Sequence, residues 1–543
     1  MTSYVITEPQ IISAVATDVE EIGSAISAAN AEATGPTSGL LAPAADEVSA
    51  AITNLFGAYS REYHAVVRHA AAFHDEFTRA LAAAGNAYAN AEGVNVADLA
   101  AGPRTPSPQV TPISAELTLF LGPTGNPTPG TTYVNNANNL YVRSMNTLQA
   151  LFTPEELYPL TGVKSLTLNS SVNEGLTILN NAITQQLQSP SNTLSVFGYS
   201  QSAIIASLEM QKLAALGPLA PSPSQLNFVL VGNEMNPNGG LLARFPGLSI
   251  PSLGLTFYGG TPADTIYPTN IYTLEYDGFA DFPQYPLNFV ADLNAVTGIL
   301  FVHTTYVSPF LGMPAVTQTQ VDNAIPLSTT PGYYANGGVT HYYMIPTQNL
   351  PLLDPLRYIP VVGNPIADLL QPDLRVLVNL GYGNPDYGWS TGYANVTTPF
   401  GFAPHVGAGT VLHDLAVGTH QGIQAFRADL ANPPTAIKLP TSPPPAPVAP
   451  TPLNIANTIA SIVSTDYAVL LPTVDTALGF VTTIPAYDAT LFVSQLLQGN
   501  LINAIGFPIA ADVGLATVAG LVEFAVIGSA VSTTIRDIES LIP

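Results

Sequence analysis

Leu194-Ser195-Val196-Phe197-Gly198-Tyr199-Ser200-Gln201-Ser202 runs from an apolar strand straight into an Ala/Ile/Leu-rich helix. The strand is expected over 192–198 and the helix over 201–216. A serine at such a junction sits on the sharp turn of a nucleophile elbow. Gly198 lets the chain turn tightly. The helix that follows points its first N–H groups at Ser200, which favours an anion there. The usual pattern closes on glycine. Ser202 takes that place here, and it is small enough for helix and strand to stay close. Without its flanks, the serine would be a residue at an ordinary strand–helix junction.

Working outward, strands are expected at 117–121, 226–232 and 270–276, and helices at 171–187 and 286–300. Alternating strand and helix implies a central, mainly parallel sheet with helices on both faces, an α/β fold. In the hydrolases built this way the acid and then the histidine follow the serine along the chain. The strand at 272–276 leads into Asp277-Gly278-Phe279-Ala280-Asp281-Phe282-Pro283. Asp281, in a Gly-x-x-Asp loop with a proline two residues on, is the first choice for the acid. Asp277, at the strand edge where it would also suit a turn cap, is the alternative, and Glu234 is a third. His303 follows the next helix, where the base belongs, and His341 is its rival. His64, His69 and His74 come too early, and His405, His413 and His420 lie beyond a proline-rich stretch. For an oxyanion hole the N–H of Gln201 is one candidate, and Thr124 or Gly125 in Gly122-Pro123-Thr124-Gly125 supplies the other. That loop otherwise reads as a plain turn, and it lacks the lysine of a phosphate-binding loop.

Composition narrows the rest. Of 543 residues only 9% are charged and 47% are hydrophobic, and 37 acids against 13 bases give a net charge of −24. Nucleic-acid binding needs clustered bases and is excluded, as is an electrostatic grip on anionic lipid. There is no cysteine, so no disulfide, thiolate nucleophile or cysteine-bound metal exists. No metal or other cofactor is implied. The first residues carry no basic and apolar signal-peptide pattern. No transmembrane helix is expected: 489–511 contains Gln495, Gln498, Asn500, Asn503 and Pro508, and the stretch beyond is cut by Glu523.

The chain divides into a helical hairpin over 1–100, a Pro-rich linker over 101–112 and the α/β region over 113–383. An extension of unassigned role covers 384–440, a Pro-rich linker 441–452 and a mostly helical segment 453–543. The Pro/Tyr-rich stretch from Tyr306 to Tyr343 reads either as a lid or as a structural connection.

Two resemblances are specific. Ile22-Gly23-Ser24-Ala25-Ile26-Ser27-Ala28-Ala29-Asn30, Ala45-Asp46-Glu47-Val48-Ser49-Ala50-Ala51-Ile52, Ala71-Ala72-Phe73-His74 and Ala87-Tyr88-Ala89 resemble the PE domain of mycobacterial proteins. The naming Pro-Glu pair is altered, to Pro9-Gln10 after Glu8. Tyr88-Ala89-Asn90-Ala91-Glu92 fits the family's Tyr-x-x-x-Asp/Glu export signal. The resemblance implies type VII secretion to the cell envelope or surface. It also implies a PPE-family partner and a secretion chaperone bound through the hairpin.

Phe197-Gly198-Tyr199-Ser200-Gln201-Ser202-Ala203, Tyr276-Asp277-Gly278-Phe279-Ala280-Asp281-Phe282-Pro283 and Leu350-Pro351-Leu352-Leu353 resemble the PE-PPE domain, a serine α/β-hydrolase related to cutinases. This implies an esterase or lipase acting on lipid or other acyl esters through Ser200, Asp281 and His303. Acyl transfer to a sugar hydroxyl of envelope glycolipids uses the same residues and is the second reading. A catalytically inert surface or interaction protein is the third. If Tyr88 and Glu92 carry export, Tyr88→Ala should leave the protein inside the cell, with the activity of purified protein unaltered. Normal amounts of the variant in culture filtrate and envelope fractions would refute that role.

Overall fold

The chain separates into two compact units, Met1–Thr111 and Pro112–Pro543. The structure, a computed structural model, describes residues 116–439 and 451–541 together with six separate positions between 24 and 53. The hairpin, the first linker, the Pro-rich core of the second linker, and Tyr88 and Glu92 lie outside the described residues.

The second unit is built on a seven-stranded sheet. Its strands are β1 (Glu116–Phe120), β2 (Thr147–Ala150), β3 (Thr193–Tyr199), β4 (Leu226–Val231), β5 (Thr269–Leu274), β6 (Ile325–Pro326) and β7 (Thr340–Ile345), in the order β2-β1-β3-β4-β5-β7-β6. All neighbours are parallel except β6, which runs antiparallel to β7 at the edge. The order reverses direction between β1 and β3. In open sheets the crevice at such a reversal, beyond the carboxyl ends of the strands, is where ligands bind. Ser200 is the first residue past β3.

The strands alternate with a period of two between two cores. Leu194 and Val196 of β3, with Phe228 and Leu230 of β4, face one core; Phe197, Tyr199, Val229 and Val231 face the other. The first core is closed by α1 (Leu168–Gln186) and α2 (Gln201–Ala215). Both faces are buried, which is why these strands read as continuous apolar runs. The Tyr306–Tyr343 stretch is structural at both ends: Tyr306 lies fully buried in the second core, and β6 and the start of β7 extend the sheet.

Helix α3 (Phe289–Phe301) is capped by the Asn288 side chain, which accepts from the Ala291 N–H, and it ends just before His303. The 384–407 loop belongs to the same body, since Phe400 stacks on Phe245 at 5.1 Å. Beyond it, α4 (Gly363–Asn379) packs on α5 (Ala408–Ala431).

The C-terminal segment forms α6 (Pro452–Ala468), α7 (Leu470–Leu478), α8 (Ile484–Leu497) and α9 (Leu501–Ser540). Ile484, Tyr487, Ala510, Ala511 and Leu515 join the first core, so this segment is part of the α/β body. Tyr158 Oη donates to Asp475 Oδ2 at 2.6 Å and pins α7 to it. The sequence reading of this region requires correction. Pro508 and Glu523 do not break the helix; α9 runs unbroken through both for 40 residues. Both Pro452–Leu497 and Leu501–Ser540 are long and apolar enough to cross a membrane by length and composition. Pro508 is the eighth residue of α9, past the first turn, so it removes one i→i−4 bond, to the Ala504 carbonyl, and the helix continues through it.

Two glycines lock α3 to the loop after β5. A Cβ on Gly298 would lie 1.9 Å from the Tyr276 carbonyl oxygen, and one on Gly278 would lie 2.1 Å from that of Ala295. Backbone atoms cannot yield as a flexible side chain can. Gly298→Ala should therefore destabilise the fold by about 1–3 kcal/mol, the range for overpacking. A urea midpoint equal to wild type would mean that helix and loop are free to part.

Candidate active site

Ser200 is held in a conformation that few residues adopt, with φ 59° and ψ −125°. The strain is maintained by the surroundings. Its N–H donates to Val231 O at 3.1 Å, tying the turn to β4. A Cβ on Gly198 would meet the Ser202 carbonyl oxygen at 2.8 Å, so only glycine fits. Ser202, where glycine is usual, laces the turn: its Oγ accepts from the Tyr199 N–H at 2.8 Å and donates to Tyr199 O at 3.0 Å.

Ser200 Oγ lies 2.8 Å from His303 Nε2. On the far side of the ring, His303 Nδ1 lies 2.9 and 2.8 Å from Asp277 Oδ1 and Oδ2. All three side chains are buried. Asp277 Oδ1 also accepts from the N–H groups of Phe279 (3.0 Å) and Ala280 (3.3 Å), and Oδ2 accepts from Tyr306 Oη at 2.8 Å. A carboxylate with that many donors is fixed in orientation. It holds the ring with Nδ1 protonated and Nε2 turned to Ser200.

The first choice for the acid is thus corrected. Asp281 makes no hydrogen bond to His303. Its Oδ2 accepts from the Tyr276 N–H at 3.1 Å, inside the loop and near the buried Arg244. The loop turns back after Asp277, so the strand-end residue faces the sheet's carboxyl edge while Asp281 is folded underneath. Glu234 contacts the serine and not the ring: its Oε1 accepts from Ser200 Oγ at 3.1 Å. His341 sits on β7, next to the edge strand β6, exposed and stacked on Tyr334 at 5.1 Å. His405, His413 and His420 are exposed; His64, His69 and His74 lie outside the described residues.

Gln201 begins α2, so its N–H belongs to the unpaired first turn beside Ser200. Its side chain is anchored elsewhere, accepting from Ser171 Oγ at 2.6 Å and donating to Glu156 O (2.9 Å) and Thr124 Oγ1 (3.2 Å). That last contact brings the loop after β1 to the serine turn. The Gly125 N–H is already committed to Glu155 O at 2.7 Å, which leaves Thr124 as the better second donor.

Several residues at the site were missed in the sequence. Tyr306 bonds Asp277 and also accepts from the Leu274 N–H at 2.7 Å. Tyr199 Oη donates to the His303 carbonyl. The Phe279 ring meets the imidazole edge-on at 4.9 Å. Glu155 is buried with its Oε1 accepting from Thr153 Oγ1 at 2.6 Å. The proximity of Tyr306 to His303 in sequence was the one available signal.

Burial raises the Glu234 carboxyl to about 7, against the lowering pull of His303 and of the Ser200 hydrogen bond, with Asp277 adding to the rise. Burial likewise raises Glu155 to about 8. For His303, burial alone would lower the pKa, but the Asp277 and Glu234 carboxylates outweigh it and the net shift is upward. Among the described residues no group of acidic and histidine side chains is arranged to hold a metal ion.

The PE-PPE domain family model matches residues 145–383, and the PE family model matches residues 5–95. Three proteins of Mycobacterium tuberculosis are similar over most of the chain. The uncharacterized PPE family protein PPE28 is 46% identical over 453 residues, 78% of this chain and 67% of its own. PE family protein PE3 is 48% identical over 434 residues, 78% of this chain and 88% of its own. Esterase PE16 is 44% identical over 416 residues, 74% of this chain and 72% of its own.

The raised carboxyl has a consequence for stability. Unfolded, Glu234 ionises near 4.5, and folded near 7. The folded state therefore loses stability relative to the unfolded one as pH climbs through that window, and loses no more above it. Glu234→Gln removes the loss, which is at most about 3 kcal/mol. The variant's melting temperature should exceed that of wild type at pH 8, and the gap should close toward pH 4. A gap independent of pH would contradict the shift.

Proposed function

The chain belongs to the PE family of mycobacterial proteins and carries a PE-PPE domain, and from that premise we propose that it is a serine carboxylic-ester hydrolase. The observation that carries the reading is the continuous array Ser200 Oγ–His303 Nε2, His303 Nδ1–Asp277 at 2.8–2.9 Å, set at the carboxyl edge of a parallel sheet. The similarity to a relative named as an esterase supports it.

In this mechanism Ser200 Oγ attacks the acyl carbonyl carbon while His303 Nε2 takes its proton. Asp277 stays ionised and steadies the imidazolium. The negative charge that develops on the carbonyl oxygen is met by the Gln201 N–H and by Thr124. His303 then protonates the departing alcohol, leaving an acyl ester on Ser200. Water enters, gives a proton to His303 and attacks the acyl carbon, and the returning proton frees Ser200. The substrates are acyl esters. The proposal extends to location: PE membership favours the cell envelope, reached by type VII secretion through Tyr88 and Glu92, with a PPE-family protein and a secretion chaperone as partners of the hairpin.

Ser200→Ala should lose at least about a thousandfold in ester cleavage while melting like wild type. Asp277→Asn should lose about 10³- to 10⁴-fold in kcat, because the ring is then held in the wrong tautomer. Asp281→Asn should stay near wild type in kcat. The reverse order for the two aspartates would overturn the assignment. His303 acts in its neutral form and its pKa is raised, so kcat/KM should climb with pH through a value above the ordinary imidazole figure of about 6.5. Product analysis with a lipid ester and free sugar decides the acceptor: fatty acid alone means hydrolysis, and acylated sugar means transfer.

A further inference from the structure

One cavity begins beside two residues that touch the Ser200–His303 pair and ends at a helix far along the chain. Near Ser200 its wall includes Glu234, whose Oε1 touches Ser200 Oγ, and Phe279, whose ring packs on His303. Its sides are aliphatic, with Leu241, Leu242 and Leu253 among them. Its far wall is α9, through Val518, Leu521 and Val522. Glu234 is the sole charged side chain in this lining. The cavity is narrow, about 90 Å³.

A second apolar space lies against the same helix. This groove runs between α3 and α9, is about 560 Å³, and opens to solvent past Phe289 and Phe524, which are 52% and 69% exposed. Leu521 belongs to the linings of both spaces and is itself buried. Its side chain stands between a small chamber beside Glu234 and a larger open groove. Residue 521 lies well beyond the 145–383 match, so the partition is supplied by the helical segment after it.

We infer that the acyl chain of the ester is seated in the inner cavity under α9, and that Leu521 sets the chain length by separating that seat from the outer groove. The inference rests on the serine-hydrolase reading, since it is an acyl group on Ser200 that would reach the cavity past Glu234, whose Oε1 is 3.1 Å from Ser200 Oγ. Beyond Glu234 the lining's one polar side chain is Tyr158, whose hydroxyl is committed to Asp475, so little is left to repay a polar acyl group for lost water and the chamber selects an unsubstituted aliphatic chain. A chain that outgrows the chamber meets Leu521. Moving that side chain connects chamber to groove and gives the extra methylenes an apolar bed.

The test uses the full-length protein and p-nitrophenyl acetate, butanoate, octanoate, dodecanoate and hexadecanoate, dispersed identically. Leu521→Ala should raise kcat/KM for dodecanoate and hexadecanoate relative to butanoate by about tenfold or more, the scale on which an apolar pocket discriminates methylenes. Val522→Trp, which fills the chamber without touching the partition, should shift preference toward the shortest esters by a similar factor. Ile538→Ala, on an exposed part of the same helix, should keep the wild-type profile, and thermal melts confirm that each variant is folded. A fluorophosphonate probe of Ser200 separates the two failures. If Ser200 is labelled and esters are cleaved but both pocket variants keep the wild-type chain-length profile, the seat under α9 is wrong and the hydrolase stands. If Ser200 is neither labelled nor needed for cleavage, the hydrolase reading and this inference fall together.

Discussion

The site depends on a backbone contact made by two glycines. Gly298, on the helix that ends just before His303, lies against the Tyr276 carbonyl, and Gly278, in the loop that carries Asp277, lies against the Ala295 carbonyl, at distances that leave no room for a Cβ. That contact brings the end of α3 under the end of β5. The imidazole then reaches from one element to the other: Nδ1 to the loop, Nε2 to the turn after β3. A hydrogen-bonded array across three chain segments tolerates little slack, since a displacement of an ångström takes a 2.8 Å bond outside useful geometry. The glycines convert a sheet edge into a site.

Around this contact, charge is arranged with little to balance it. One imidazole serves Asp277 and lies near Glu234, and Glu155 stands behind Glu234. The three carboxyls do not share one environment. Asp277 accepts four hydrogen bonds and lies against the ring. Glu234 and Glu155 have fewer donors and are pushed upward by burial. Environment, not residue type, therefore separates an anion that orients a base from neighbouring carboxyls that keep their protons to near neutrality. The buried tyrosines contribute to the same end, with Tyr306 donating to Asp277 and Tyr199 to the backbone of His303.

Much of this was legible in the sequence because it is local. The elbow at Ser200 is written in consecutive residues, and its flanking strand and helix have clear periods. Chain order left His303 and His341, and the helix preceding His303 favoured it. The sheet is apolar on both faces, which made β1, β3, β4 and β5 visible, while β2 and β7 were not: β2 is a short, half-exposed strand, and β7 is rich in tyrosine with the polar His341 in its midst. The acid was misjudged because both aspartates share one loop, and the choice between them turns on the direction of a turn, which depends on Gly278 meeting α3. Thr124 and Gly125 were a single candidate until Glu155, 30 residues on, claimed the Gly125 N–H. Sequence patterns register what neighbours along the chain require, and these decisions are made by neighbours in space.

The C-terminal segment carries the same lesson further. Its charge-poor helices look alike in composition, and composition alone could assign them to a bilayer, a partner or a core. In the fold their roles differ along one helix. Ala510 and Ala511 are buried in the core with Leu515, the alanines small enough to bring α9 close, and Leu521 follows further along. Phe524, Ile527 and Val531 then remain exposed. A run of small residues followed by larger ones is what a helix needs if it is to dock tightly at one end and wall a cavity further along. The apolar character that stood out in the chain as a whole is therefore divided by side-chain size: small residues where α9 touches the sheet domain, branched ones where it borders the space beside Ser200.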